Sequence, residues 1–299
     1  MCRNCGNALV PFSFCQLFQT LMPNHLLFLA RNDRQVAECR YFLLKYLALY
    51  NLKPPANTTV VVYTQQATAF EGFTSFIPAF QMPALPAALV ASTKTTLLHG
   101  FLSKNTGNVL YCDTATYPQQ PLEPLFADIE TGSLYLHAPH RHKESDLHTP
   151  FRKLIALRDK TATATATPEP RINIWHAAVI GLNDHFKSHV AKLAQQQPAP
   201  GLATDYNYTK QFNESGRIKS AGKFIFDYGG FDEFGQLLQA FFKKNEEESI
   251  PNQIKLLHHI DAAAIQQQKK DYQQQPLFKK WLQAITGKRW SIRQYESRL

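Results

Sequence analysis

Apolar residues fall along the chain in two rhythms. Residues 25–31, HLLFLAR, form an unbroken run of strand length, and residues 58–64, TTVVVYT, form a β-branched run. Runs of this kind mark strands covered on both faces. Between them Val36, Cys39, Leu43, Tyr46, Leu47 and Tyr50 recur at helical spacing, which predicts a helix over about 33–50. Asn32 or Asp33 can cap its start, and NLKPPAN ends it. A further helix, predicted over about 87–104, leads into the strand NVLYCDT; GSLYLHA (132–138) and INIWHAAVIGL (172–182) add two more strands. From about residue 231 the rhythm turns helical, through FDEFGQLLQAFFKK, then 252–270, then 276–286. TATATATPEP (161–170) and QQQPAPGLA (195–203) read as low-complexity loops. The alternation predicts an α/β protein built on a largely parallel sheet, with no internal repeat.

Composition narrows the partners more than the fold. The 299 residues are 44% hydrophobic, enough to bury a core in one large or two small domains. The net charge of +9 favours anionic partners: nucleotide phosphates, an acidic lipid surface or nucleic acid. Much of the excess lies late in the chain, at Lys269, Lys270, Lys279, Lys280, Lys288 and Arg289 among others. That segment allows peripheral membrane contact, with a solvated basic helix face as the plain alternative. No RNA-binding signature or zinc finger accompanies these charges, which argues against nucleic acid. No stretch reaches the roughly 18 apolar residues of a membrane span. ALVPFSFCQLF (8–18) lacks a small-residue cleavage site behind it, so residues 1–21 are expected to be an extension before Met22 and the protein cytoplasmic. Cys2 and Cys5 have no second pair at zinc spacing, and Cys39 and Cys112 sit in apolar segments as reduced thiols do.

Ligands on such sheets bind beyond the carboxyl ends of the strands. Three places qualify: Tyr63-Thr64-Gln65, Asp113-Thr114-Ala115 and the segment around Gly181. On its own, Asp113 at a strand end is more often a cap or turn residue, and His176 in an apolar run more often a satisfied core histidine. DYGG, which contains Asp227, is also an ordinary turn. His137, His140, His142 and His148 invite a metal, but Arg141 and Lys143 beside them argue for solvated surface, or at most an acceptor- or phosphate-facing loop. Phe224, Phe226, Phe231, Phe234, Phe241 and Phe242 read as core.

In order and spacing, the pieces FLARNDRQVAECRYFLLKYLALY, VVVYTQQ, STKTTLLHGFLSKNTGNVLYCDTATYPQQPLEPLF, GSLYLHAPHRH, IWHAAVIGL and FIFDYGGFDEF resemble the GT-A-type glycosyltransferases with a nucleotide-diphospho-sugar transferase domain, the broad group that includes glycogenin-like enzymes. The resemblance covers about residues 25–290. It implies a GT-A-like, Rossmann-type α/β/α sandwich over residues 22–230 and a mainly helical C-terminal appendage over 231–299. It also implies transfer of a sugar from a nucleotide-diphosphate donor to a hydroxyl of a glycan, lipid or protein acceptor. By position, Tyr63, Thr64 and Gln65 would meet the donor base or ribose. Asp113, Thr114 and Ala115 stand at the Asp-Thr-Asp that holds Mn²⁺ or Mg²⁺ against the diphosphate. Trp175 to Gly181 would face the transferred sugar, with His176 in place of Asn and Ala178 in place of Gly. Asp205 would orient or deprotonate the acceptor, and Asp227 stands where the family has a metal-binding His.

The departures fall where the chemistry should be. Ala115 offers no oxygen to a hard cation, and Gln65 has lost a charge. Asp113 and Asp227 could still share a divalent ion. Alternatively, lysines among Lys94, Lys104, Lys219 and Lys223 could replace it, since the main requirement is to stabilise the departing diphosphate. A catalytically silent GT-A-like protein that binds nucleotide sugar, glycan or a partner enzyme is the other class of reading, motivated by Gln65, Ala115 and Ala178. A basic protein docked on membrane or nucleic acid is a third.

Overall fold

The computed structural model describes residues 22–85, 93–139, 174–196, 202–213, 218–258, 260–286 and 290–296. Residues 1–21, expected to be an extension, the expected loop at 161–170, and His140, His142 and His148 lie outside these residues. The strands are β1 (Asn24–Ala30), β2 (Thr58–Thr64), β3 (Phe80–Gln81), β4 (Asn108–Cys112), β5 (Thr116–Pro118), β6 (Leu134–Pro139), β7 (Trp175–Leu182), β8 (Ile218–Ser220) and β9 (Ile225–Asp227). Seven of them form one sheet in the order β3-β2-β1-β4-β7-β6-β8, and β5 pairs with β9 in a small second sheet.

The parallel centre matches the sequence pattern. β1 runs parallel to both β2 and β4, with Ala30 opposite Thr64 and Leu27 opposite Tyr111. Thr64 and Asp113 therefore emerge from the same edge of the sheet. The strands alternate strictly between two cores. Leu26, Phe28, Val60, Val62, Leu110 and Cys112 point into one apolar cluster, while Leu27, Leu29, Val61, Val109 and Tyr111 point into the other. A run apolar at every position is what a sheet covered on both faces requires.

Helices supply the two covers. On the first face lie α1 (Asp33–Leu49), α3 (Glu123–Glu130) and α6 (Asp232–Lys244). On the second lie α2 (Lys94–Leu102), α4 (Lys187–Ala194) and α5 (Leu202–Asn213), an α/β/α sandwich. The Asn32 side chain caps α1 by accepting the Gln35 N–H at 3.0 Å. The remaining helices are α7 (Ile250–Leu257), α8 (Ala262–Gln274), α9 (Leu277–Ile285) and α10 (Arg293–Glu296). The single helix expected over 252–270 is thus two: the Asp261 carboxylate accepts the Ala264 N–H at 2.8 Å and starts α8 afresh. Phe234, Leu237 and Phe241 of α6 share the core of α1, so the C-terminal helices begin as part of the sandwich.

β7 is the one strand among the described residues of the main sheet that runs against its neighbours. Its first residues, Trp175 to Ala177, therefore lie at the carboxyl edge beside the end of β4. Gly181 lies well inside the sheet, opposite Leu110 and Tyr135. A strand-end role for Gly181 is corrected by this direction. A Cβ there would come 2.8 Å from Ile129 and 3.0 Å from Tyr135, so this glycine serves packing. Cys39 and Cys112 are buried free thiols, whose pKa values burial pushes well up. No helix among the described residues is long and apolar enough to cross a membrane.

Candidate functional site

The chain leaves β4 at Asp113, and the sheet holds that residue in place: its N–H donates to the Ala178 carbonyl at 2.7 Å. Both carboxylate oxygens have protein partners. Lys94 Nζ donates to Asp113 Oδ2 at 2.9 Å, and the Tyr111 hydroxyl donates to Oδ1 at 2.9 Å. Burial, reinforced by the Asp113 charge, pushes the Tyr111 pKa well up and keeps that hydroxyl a donor. Lys94, at the first position of α2, also donates to the Ala177 carbonyl at 2.6 Å. These groups line an open cleft of about 510 Å³, whose described wall comes from the ends of β1 and β4 with α1, α2 and Thr204 of α5. Arg31, Arg34 and Lys94 give that wall three cations, two of them paired with its carboxylates Glu38 and Asp113.

The turn after Asp113 is anchored from below. Thr114 donates to Glu38 Oε2 at 2.8 Å, while Glu38 Oε1 accepts from Arg34 Nε at 2.8 Å. Arg34 in turn reaches Asp232 Oδ1 at 2.8 Å. Glu38 is 3% exposed, and its charge is tolerated only because it is paired. Gly235 of α6 makes room for the pair: a Cβ there would lie 2.5 Å from Arg34 Nε and 2.9 Å from Glu38 Oε1. The Ala115 carbonyl accepts from Tyr228 N–H at 3.0 Å, and Thr116 pairs with Asp227. The small sheet β5–β9 thus carries Asp227 to the same edge.

Asp227 meets His176 there. His176 Nδ1 lies 2.9 Å from Asp227 Oδ2, and His176 Nε2 lies 4.0 Å from Asp205 Oδ2. Asp227 is aimed by the Gly229 N–H, which donates to Oδ1 at 2.7 Å. Asp205 does structural duty as well. Beyond the end of β4, its Oδ1 accepts the Ala177 N–H at 3.0 Å, and Thr209 Oγ1 accepts the Trp175 N–H at 2.8 Å. Burial alone would lower the His176 pKa; the hydrogen bond and charge of Asp227, with the Asp205 charge, outweigh it and raise it. Burial alone would raise the Asp227 pKa; the His176 bond and charge outweigh it and hold the carboxyl below its ordinary value.

The loop-surface reading of His137 is corrected here. His137 is half-buried at the end of β6, its ring edge-on to His176 at 5.9 Å, with Nε2 3.2 Å from the Ile225 carbonyl. His137, His176 and Asp227 offer ligand atoms all within 4.8 Å of one another. In the structure these atoms already have partners: His176 Nδ1 faces Asp227, which raises the imidazole's pKa, and His137 Nε2 lies by the Ile225 carbonyl, so an ion here would have to displace both contacts. Nor does the Asp113 turn fit a divalent ion. Ala115 supplies no oxygen, and an ammonium already faces Oδ2. Asp113 and Asp227, which the sequence allowed to share a metal, are engaged with different partners, Lys94 and His176.

Other sequence candidates scatter. Tyr63 is half-buried, Thr64 is buried with Oγ1 accepting the Gln66 N–H at 3.0 Å, and Gln65 is exposed; none belongs to the described cleft wall. Lys219 pairs with Asp128 at 2.7 Å, Lys223 lies over the Phe224 ring, and Lys104 is exposed. Of the four lysines considered, Lys94 is the one that reaches Asp113. Sequence reasoning missed Arg31, Arg34, Glu38 and Tyr111. Glu38 had a readable signal, a carboxylate inside the apolar stretch VAEC four residues after an arginine.

No protein-family model matches the chain, and no curated protein sequence matches it. Solved structures resemble its fold at low identity. The apo form of mouse xyloside xylosyltransferase 1 is 14% identical with TM-score 0.43, covering 66% of this chain and 84% of that one. The galactosyltransferase LgtC, in complex with donor and acceptor sugar analogs, is 12% identical with TM-score 0.39, covering 66% and 73%. The apo glycosyltransferase GlyE of Streptococcus pneumoniae is 11% identical with TM-score 0.40, covering 67% and 45%.

Proposed function

We propose that this chain is a GT-A-like sugar transferase that holds the diphosphate of a nucleotide-sugar donor with a lysine in place of a metal ion. The observation that carries the reading is the Lys94–Asp113 contact of 2.9 Å at the mouth of the strand-end cleft. The sequence resemblance supplies the reaction class. In transfer, an acceptor hydroxyl oxygen bonds to the anomeric carbon as the bond from that carbon to the diphosphate oxygen breaks. The electron pair leaves with the diphosphate, where negative charge grows. Fixed cations at that point stabilise the transition state more than the ground state. Lys94, aimed by Asp113 and the Ala177 carbonyl, is pre-set for this task, and Arg31 adds positive potential to the same wall.

The His176–Asp227 pair and Asp205 stand at the neighbouring edge, joined to Lys94 through the backbone of Ala177. In this reading Asp205 positions the start of β7 rather than acting as a free base, and His176, its pKa raised by Asp227, faces the sugar. The test is a thermal-shift and turnover screen across nucleoside diphosphates and their sugars, with Mn²⁺ and with chelator. Stabilisation by a nucleoside diphosphate that survives chelator supports the reading. Stabilisation only with a divalent ion overturns the metal-free part, and binding without turnover of any donor favours the silent-protein class. No response under any condition removes the donor site.

A further inference from the structure

Helix α9 is amphipathic and has no buried residue. Leu277, Phe278, Trp281, Leu282 and Ile285 are 84%, 71%, 59%, 47% and 64% exposed. At 3.6 residues per turn these five share one arc of about 140°. Lys279 and Lys280 fall on either side of that arc, and Gln283 lies opposite it. The Phe278 and Trp281 rings stack at 6.0 Å, forming one continuous apolar surface. Large contiguous patches of this kind mark a contact with another phase or partner.

We propose that α9 docks this protein on an anionic phospholipid surface, lying in the plane of the interface. Charge selects that occupant. α9 contains no Asp or Glu, its two charged residues are lysines, and Lys288 and Arg289 follow in the sequence of a chain with net charge +9. A second copy laid against the same stripe would bring four lysines together with no acidic residue on either helix to answer them. An acidic bilayer meets both halves of the helix: the apolar arc enters the headgroup boundary while the exposed Lys279 carries its charge outward to phosphate, and Lys280, whose Nζ donates to the Gln273 carbonyl at 2.5 Å, adds positive potential beside it. Nine residues span about 14 Å, far too short to cross a bilayer and suited to lying on it. The inference stands apart from the sugar-transfer reading, since none of the cleft residues takes part.

The full chain is tested by co-sedimentation with phosphatidylglycerol/phosphatidylcholine vesicles and with pure phosphatidylcholine vesicles. The expected result is partition onto the anionic vesicles at least tenfold stronger than onto the neutral ones, weakened by salt. The double variant Phe278→Glu/Trp281→Glu should lose at least tenfold in that partition, and Lys279→Gln/Lys280→Gln should lose its anionic preference. Both should melt with the parent protein, because α9 buries nothing. Absence of binding to the anionic vesicles, equal binding to neutral ones, or undiminished binding by Phe278→Glu/Trp281→Glu overturns the proposal. A lipid-free, concentration-dependent dimer abolished by the same variant overturns it in favour of a second copy.

Discussion

Lys94 and Asp113 face each other 2.9 Å apart at the carboxyl edge of the sheet, with the lysine side chain 17% and the aspartate side chain 36% exposed. The pair ties the first turn of α2 to the end of β4. Ion pairs this open to water contribute only about 0–1 kcal/mol to folding. Replacing Lys94 should therefore reveal a binding role more than a structural one. For Lys94→Met we expect a melting temperature within about 4 °C of the parent. Affinity for a nucleoside diphosphate, measured by calorimetry in chelator, should fall at least about tenfold, or 1.4 kcal/mol. Unchanged affinity would remove Lys94 from the donor site.

Gly235 gives a prediction of opposite sign to helix propensity. Alanine in a helix interior is ordinarily favoured over glycine by about 1 kcal/mol. Here the added methyl would meet Arg34 Nε at 2.5 Å and Glu38 Oε1 at 2.9 Å, in a pair that also anchors Thr114. Gly235→Ala should destabilise the protein by about 1–3 kcal/mol in urea unfolding, the range for overpacking. A stabilised variant would show that the Arg34–Glu38 pair can move aside.

The central strands were legible because burial on both faces writes itself as a continuous apolar run, and Asn32 was legible as a cap because the signal is local. Strand direction was not. WHAAVIGL reads equally well either way along the sheet, so Gly181 was placed at the edge where Trp175 stands. His137 was judged by its sequence neighbours Arg141 and Lys143, whereas its environment is set by His176 and the Ile225 carbonyl. Lys94 and Asp113 are 19 residues apart, and only the packing of α2 on the sheet brings them together. α9 was visible as a helix, but periodicity alone does not say whether its apolar arc has a partner.

The His176–Asp227 pair makes stability depend on pH in two directions. The His176 pKa is raised on folding, so its contribution is complete below about 6.5, the unfolded value, and is lost as pH rises through the folded pKa. The Asp227 pKa is lowered, so its contribution is present above 3.8 and is lost as pH falls through the folded value. The pair should therefore support the fold most between those limits. In urea unfolding across pH 5–9, His176→Gln should cost most near pH 5–6 and progressively less on the alkaline side. A cost independent of pH would mean that His176 is neutral in the folded protein.

Ala115 is the position where the two accounts of the donor site separate. Its carbonyl is fixed by Tyr228 N–H at 3.0 Å, and its side chain is partly buried at the cleft wall. With Lys94 as the resident cation, the parent should bind a nucleoside diphosphate equally well in Mn²⁺ and in chelator. Ala115→Asp then sets a second carboxylate near Asp113, opposed to the phosphates, and should weaken binding in chelator. The double variant Lys94→Met/Ala115→Asp removes the ammonium and restores an oxygen ligand, which is what a hard divalent ion needs. It should bind at least about tenfold more tightly in Mn²⁺ than in chelator, a difference of 1.4 kcal/mol that calorimetry resolves easily. If instead the parent already requires Mn²⁺, and the double variant gains no further dependence on it, a protein-bound ion rather than Lys94 neutralises the diphosphate.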